Sequence, residues 1–178
     1  MKLGNARVLA LSAVFAALIF ISITLFRIPN GLGGFIHFGD SLIYVAAVIL
    51  PFPYALFVAA IGPGLFNLFS ESPFWFPFTI VIKPIMALCF TSRGSKILGS
   101  KRNIIAPFVA GAINTILYFG ANMILFAMGI LPGGHVGVWA AGVAAFPALL
   151  VQGGGSIVIF FILAHALDRL KIKERIEF

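Results

Sequence analysis

The sequence predicts an all-α integral membrane protein: six transmembrane helices in one bundle, with both termini cytoplasmic. Three observations carry that expectation. Hydrophobic residues make up 61% of the 178 and charged residues only 10%, against about 25% charged in soluble domains; the mean hydropathy is +1.12. Helix-length apolar runs recur along the whole chain, separated by glycine, proline or charge. The basic residues collect in three short groups that a six-span path places on one side.

The first run, residues 8–26, is too long for a signal-peptide core and has no A-x-A cleavage pattern, so it reads as the first span, about 7–26. The second, 40–51, is short, on the order of 18 Å at ~1.5 Å per residue. Pro51 leaves open whether it continues into the third, 53–70. The remaining runs are 77–92, 104–129 and 146–168. A span takes about 20 apolar residues, so residues 1–178 read as a single membrane domain with no room for another. With the N-terminus inside, Lys2 and Arg7 share a side with Arg93, Lys96, Lys101 and Arg102, and with Arg169, Lys171, Lys173 and Arg175. That is ten of the twelve basic residues, and the positive-inside rule makes the side cytoplasmic. An odd span count would split the groups. The net charge of +7 is thereby explained without nucleic acid, for which the groups lack interleaved aromatics. A single cysteine, Cys89, excludes an internal disulfide and a cysteine metal cluster.

Against so apolar a background, polar residues are informative. A charge at mid-membrane costs about 2.5–3.5 kcal/mol on insertion scales, so it faces protein or a water-filled cavity. Lys83 lies in the fourth span, followed by Pro84, which leaves the carbonyl of Ile80 without its helical partner. A kinked lysine-bearing helix suits a cavity wall; a lysine snorkelling to the interface is the alternative. Asn114, Tyr118 and Asn122 recur at i, i+4, i+8 on one face of the fifth span. Gln152 and Ser156 bracket Gly153-Gly154-Gly155 in the sixth, and Asn67 lies near the outer end of the third. Lys83, Asn122 and Gln152 each fall roughly 8–10 Å from an outer helix end. Together they suggest a pocket for a small polar molecule, although such residues also join helices in membranes.

The outer connections add Phe35, His37 and Asp40, then Glu71 and Trp75, then His135 and Trp139. As a group they form a rim able to close over the pocket; singly, the aromatics suit an interfacial belt and Asp40 a helix N-cap. His165, a turn from Asp168, reads as a plain interfacial histidine. The chain has no G-x-x-x-x-G-K-[ST] phosphate loop, no H-E-x-x-H and no G-x-S-x-G. The acids near the membrane, Asp40, Glu71 and Asp168, all read as helix-end residues, which leaves no buried acid for ion-coupled transport. A chain of this kind binds a ligand but needs another protein to drive its movement. Ala10, Ala13 and Ala17 form a small-residue stripe on the first span, suited to close approach by another helix, within the chain or from a partner.

At this point the chain resembles the substrate-binding (S) components of energy-coupling factor (ECF) transporters, the prokaryotic vitamin importers, in their riboflavin-transporter-like branch. The resemblance covers nearly the whole chain. It lies in "GGFIHFGDSLIYVAAVILPFPYAL", "AAIGPGLFNLFS", "FPFTIVIKPIMAL", "FPALLVQGGGSIVIFFILAHALDRL" and the alanine stripe. It implies a six-helix, multi-pass protein of the prokaryotic cell membrane that captures a vitamin or precursor from outside. Release would come by toppling on a complex of a transmembrane coupling subunit and two cytoplasmic ATPases, with Ala13 and Ala17 against the coupling subunit. ATP would be used by the partners, and this chain would carry no cofactor. Two departures bear on the ligand: Asn67 stands where many relatives have an acid, and Pro84 where glycine is common. The resemblance therefore implies a fold and a transport role but no particular vitamin. A membrane-embedded enzyme using Lys83 and His37 on a lipid or small substrate is the alternative, and the missing metal site and acid pair count against it. A channel-like subunit would need a polar path through cytoplasmic halves that are nearly all apolar.

Overall fold

The computed structural model describes residues 3–30, 34–131 and 137–176. Its helices are α1 (Leu3–Leu25), α2 (Gly39–Ile49), α3 (Phe52–Phe69), α4 (Phe76–Ala87), α5 (Lys101–Ala127), α6 (Val138–Arg169) and a final short α7 (Ile172–Arg175). Between α1 and α2 runs a two-stranded antiparallel hairpin, β1 (Ile28–Pro29) and β2 (Phe35–Ile36), pairing Ile28 with Ile36 and Pro29 with Phe35. That hairpin was not foreseen in an all-α reading. It is held by Asn30, whose N–H donates to the Gly34 carbonyl at 3.0 Å while its Oδ1 accepts from the Gly34 N–H at 3.0 Å.

Proline sets the breaks. Pro51 forces the preceding Leu50 out of helical geometry, to ψ 149°, so α2 ends there and α3 starts with Pro53 in its first turn, where the missing N–H costs nothing. Pro63, Pro84, Pro107 and Pro147 lie inside helices, as membrane bundles tolerate when neighbours serve the freed carbonyls. Hence α6 starts at Val138 and runs through Pro147, eight residues before the expected 146. The fourth helix ends at Ala87 rather than 92.

Four helices are long and apolar enough to cross a membrane: Ala6–Leu25, Phe52–Phe69, Lys101–Ala127 and Val138–Arg169. The two shorter apolar helices, Gly39–Ile49 and Pro73–Ala87, fall below that length. Large apolar side chains such as Leu18, Phe57, Ile116 and Ile162 stand exposed around the bundle, the pattern of a multi-pass protein whose outer surface meets lipid rather than water. The core gathers on α2. Every residue of that helix except Leu42 is buried, among α1, α3, α4 and α6.

One correction concerns Asp40. It does not cap α2: the N-cap position is Phe38 and no side chain bonds there. Asp40 is the second residue of the helix, turned inward and fully buried. The chain therefore does hold a buried acid.

Candidate functional site

Five segments converge beneath the hairpin. From α2 comes Asp40, from α4 Thr79 and Lys83 one turn apart, and from α5 Asn114, Tyr118 and Asn122. Gln152 comes from α6 and Asn67 from the end of α3. The centre is an ion pair. Lys83 Nζ donates to Asp40 Oδ1 at 2.7 Å and to Asn114 Oδ1 at 2.9 Å, and lies 4.9 Å above the Tyr118 ring. The second carboxylate oxygen of Asp40 accepts from Gln152 Nε2 at 3.0 Å. Lys83 is 1% exposed and Asp40 0%, and two charges so desolvated persist only with close pairing and further hydrogen bonds. The lysine is thus committed within the protein and presents no unpaired charge.

A second chain of bonds runs beside the first. Asn67 Nδ2 donates to Thr79 Oγ1 at 2.6 Å, and the Thr79 and Tyr118 hydroxyls lie 2.8 Å apart. Asn122 Nδ2 donates to its own helix at the Tyr118 carbonyl, 2.8 Å away. Between the two chains is a cavity of about 60 Å³. Its walls include the expected Lys83, Asn67, Tyr118, Asn122, Gln152, Phe35, His37 and Trp75, joined by Thr79, Asn30, Pro63, Phe66 and Leu149. Phe35 packs edge-on against Phe66, with centroids 5.8 Å apart, and Trp75 lies 5.8 Å from Tyr118. His37, in the connection before α2, has a sealed Nδ1 with no hydrogen-bond partner among the described residues. Burial pushes its imidazole down to about 4, Asp40 opposing and Lys83 reinforcing, so it is neutral at physiological pH.

Two expected residues fall elsewhere and a third is not among the described residues. Ser156 is buried one turn beyond Gln152, outside the cavity wall, and its hydroxyl has no partner among the described residues. Trp139 is 67% exposed and packs edge-on against Phe119, not over the cavity. His135 lies outside the described residues. The sequence reading set Asp40 in the rim or at a helix cap and not against Lys83, and it passed over Thr79. A signal for each was present: a buried lysine requires an anion, and Thr79 sits four residues before Lys83 on the same helical face.

A family model described as the S component of the ECF-type riboflavin transporter matches residues 4–169. The chain belongs to this family of ECF S components. No curated protein matches it. The family is one of transport and vitamin uptake, not of enzymes, and its S components are substrate-binding subunits of ECF importers that work with a transmembrane component and ATPases. A polar cluster walled by aromatic rings inside an apolar bundle is chemistry suited to holding a small ligand.

Proposed function

We propose that this S component is the substrate-capture subunit of an ATP-driven importer of a vitamin or vitamin precursor. It takes a small heteroaromatic solute into an outward-facing pocket beneath the hairpin. The observation that supports this reading most is the polar cavity itself, since Asn67, Thr79, Tyr118, Asn122 and Gln152 all converge on one space in an otherwise apolar core. Phe35, Phe66 and Trp75 supply ring faces, and His37 lies beside them. In the same reading all of residues 1–178 form one domain of six spans in a prokaryotic cell membrane, both ends cytoplasmic. The transmembrane coupling subunit docks on Ala10, Ala13 and Ala17, and two cytoplasmic ATPases consume the ATP, so this chain needs no cofactor. The buried acid does not give it an ion-coupling device, because both oxygens of Asp40 are engaged by Lys83 and Gln152.

Reconstitution tests the role. The purified chain alone in liposomes should bind a heteroaromatic vitamin with one-to-one stoichiometry and fail to concentrate it. Uphill accumulation without the ATPase subunits would refute capture without drive.

A further inference from the structure

Three consecutive glycines inside a helix, Gly153-Gly154-Gly155 of α6, need a reason, because glycine weakens a helix interior. Their surroundings differ. Gly153 lies against Gly111, where α5 and α6 approach closely; a Cβ there would be 3.9 Å from the Gly111 Cα. Gly154 faces open space, with nothing within 4 Å of an added Cβ. Gly155 is filled from outside. A Cβ on it would overlap Cε1 of the Phe38 ring and lie 2.8 Å from Cδ1 and 3.1 Å from Cζ. Any other residue type would close that gap.

Phe38 is not part of the cavity wall, yet its neighbours bear on it. His37 lines the cavity, and Asp40 holds Lys83 and Gln152. The Phe38 carbonyl accepts from the Ser41 N–H at 3.1 Å and from Ser41 Oγ at 2.7 Å, which ties its backbone to the first turn of α2. On α6 the two points of attachment share a face. Gln152 bonds Asp40, and Gly155, three residues on, receives Phe38. On the other side Gly39 presses on α1, where a Cβ would be 2.5 Å from Ile23 Cγ1. The turn carrying Asp40 is thus wedged between α1 and α6, and the Phe38 ring fills its α6 side.

We propose that Phe38 and Gly155 form a seat that sets the cavity from outside. The ring in the glycine gap holds His37 and Asp40 in register with Lys83 and Gln152, which makes Phe38 a positioning residue for the site. Its consequence for capture rests on the reading above; the seat itself does not. Close-packed interiors transmit strain, so a methyl at position 155 displaces the ring, the turn of α2 and the carboxylate together.

Hydrogen exchange on the detergent-solubilised full chain, with no ligand added, tests the seat. Gly155→Ala overpacks the gap, and the amides of residues 34–42 should exchange about 10-fold faster or more. Lys83, 1% exposed in the parent, should gain reactivity toward acetic anhydride as Asp40 withdraws. Gly154→Ala is the matched control. The same methyl, one position away in open space, should leave both readouts at their parent values. Phe38→Leu added to Gly155→Ala trims the far edge of the ring and should restore most of the protection. Phe38→Ala empties the gap without adding an atom to α6 and should loosen the same segment, which decides the matter even if Gly155→Ala does not fold. Unchanged exchange or unchanged Lys83 labelling in Gly155→Ala would mean that the ring leaves alone. Equal effects of Gly154→Ala, or no recovery with Phe38→Leu, would mean a glycine hinge in place of a seat. Each of these overturns the inference. None of the readouts involves a ligand, so the capture role is judged separately, by reconstitution.

Discussion

An ammonium buried as deeply as Lys83, in a helix set among apolar neighbours, must find an anion, and the partner at 2.7 Å is Asp40. Charge cost alone was enough to single out the lysine in the sequence. The aspartate was harder, because an acid at the start of a helix is ordinarily a cap, and nothing local distinguishes one that turns inward. The pairing depends on α2 and α4 meeting, a contact 43 residues apart in the chain. It also changes what Lys83 does. A lysine donating to a ligand would lose affinity on substitution and little else, whereas one neutralising Asp40 supports the fold. Lys83→Met leaves the carboxylate buried beside Gln152 alone, and breaking a buried pair from one side costs about 3–5 kcal/mol. Removing the charge at both ends avoids that penalty, since Asn at position 40 still offers Gln152 an acceptor. In detergent, therefore, the double variant Asp40→Asn with Lys83→Met should melt above Lys83→Met alone. A double variant melting no higher than the single would show that the ion pair does not set the stability of the site.

Among the elements, α2 is the most central, and the sequence placed its ends within two residues without showing which way it faces. A helix with one lipid-facing or solvent-facing side betrays its orientation by period, but one buried on every side reads as an undirected apolar run. The breaks at Pro51 and Ser70 were readable because proline and polar loop residues act locally, whereas the start of α6 was not, since Pro147 is tolerated inside it. The small residues of α1 and α3 divide into two kinds. Gly62 on α3 is a close-packing residue: a Cβ there would lie 2.9 Å from Ile19 Cβ and 3.1 Å from the Ala16 carbonyl oxygen. Ala10, Ala13 and Ala17 are exposed, and the latter two border an apolar groove of about 720 Å³ between α1 and α3. Substitutions should separate these roles. Gly62→Val forces α1 and α3 apart and should cost about 1–3 kcal/mol, read as a lowered melting temperature. Ala13→Trp and Ala17→Trp should stay within about 0.5 kcal/mol of the parent yet lose co-purification with the coupling subunit. Equal destabilisation by all three would assign the alanines to internal packing.

For the molecule as a whole, the question is which end faces the cytoplasm, and the contacts at the two ends differ in kind. At the hairpin end, Arg27 lies over the rings of Phe35 and Phe66, 4.7 Å and 5.4 Å from their centroids, and 3.7 Å from Glu71. At the other end the connection between α4 and α5 is tied to the end of α6. Both oxygens of Asp168 accept backbone N–H groups, from Ile97 at 2.6 Å and Leu98 at 2.9 Å, and Lys173 donates to the Ser92 carbonyl at 2.6 Å. Those bonds bring Arg93 and Lys96 to the same end as Arg169, Lys171 and Arg175. The charge clustering seen in sequence is therefore also a clustering in space, and burial pulls the Lys173 ammonium below its usual range with Asp168 opposing. Such a basic end is retained in the cytoplasm during insertion. The expected orientation can be read in a Cys89→Ala background by introducing one cysteine at a time. Glu71→Cys and Ser95→Cys are both exposed positions at opposite ends. A membrane-impermeant maleimide added to intact cells should label Glu71→Cys and leave Ser95→Cys unlabelled until the membrane is opened. The reverse pattern would invert the bundle and direct the cavity inward, and labelling of both in intact cells would contradict the six-span path.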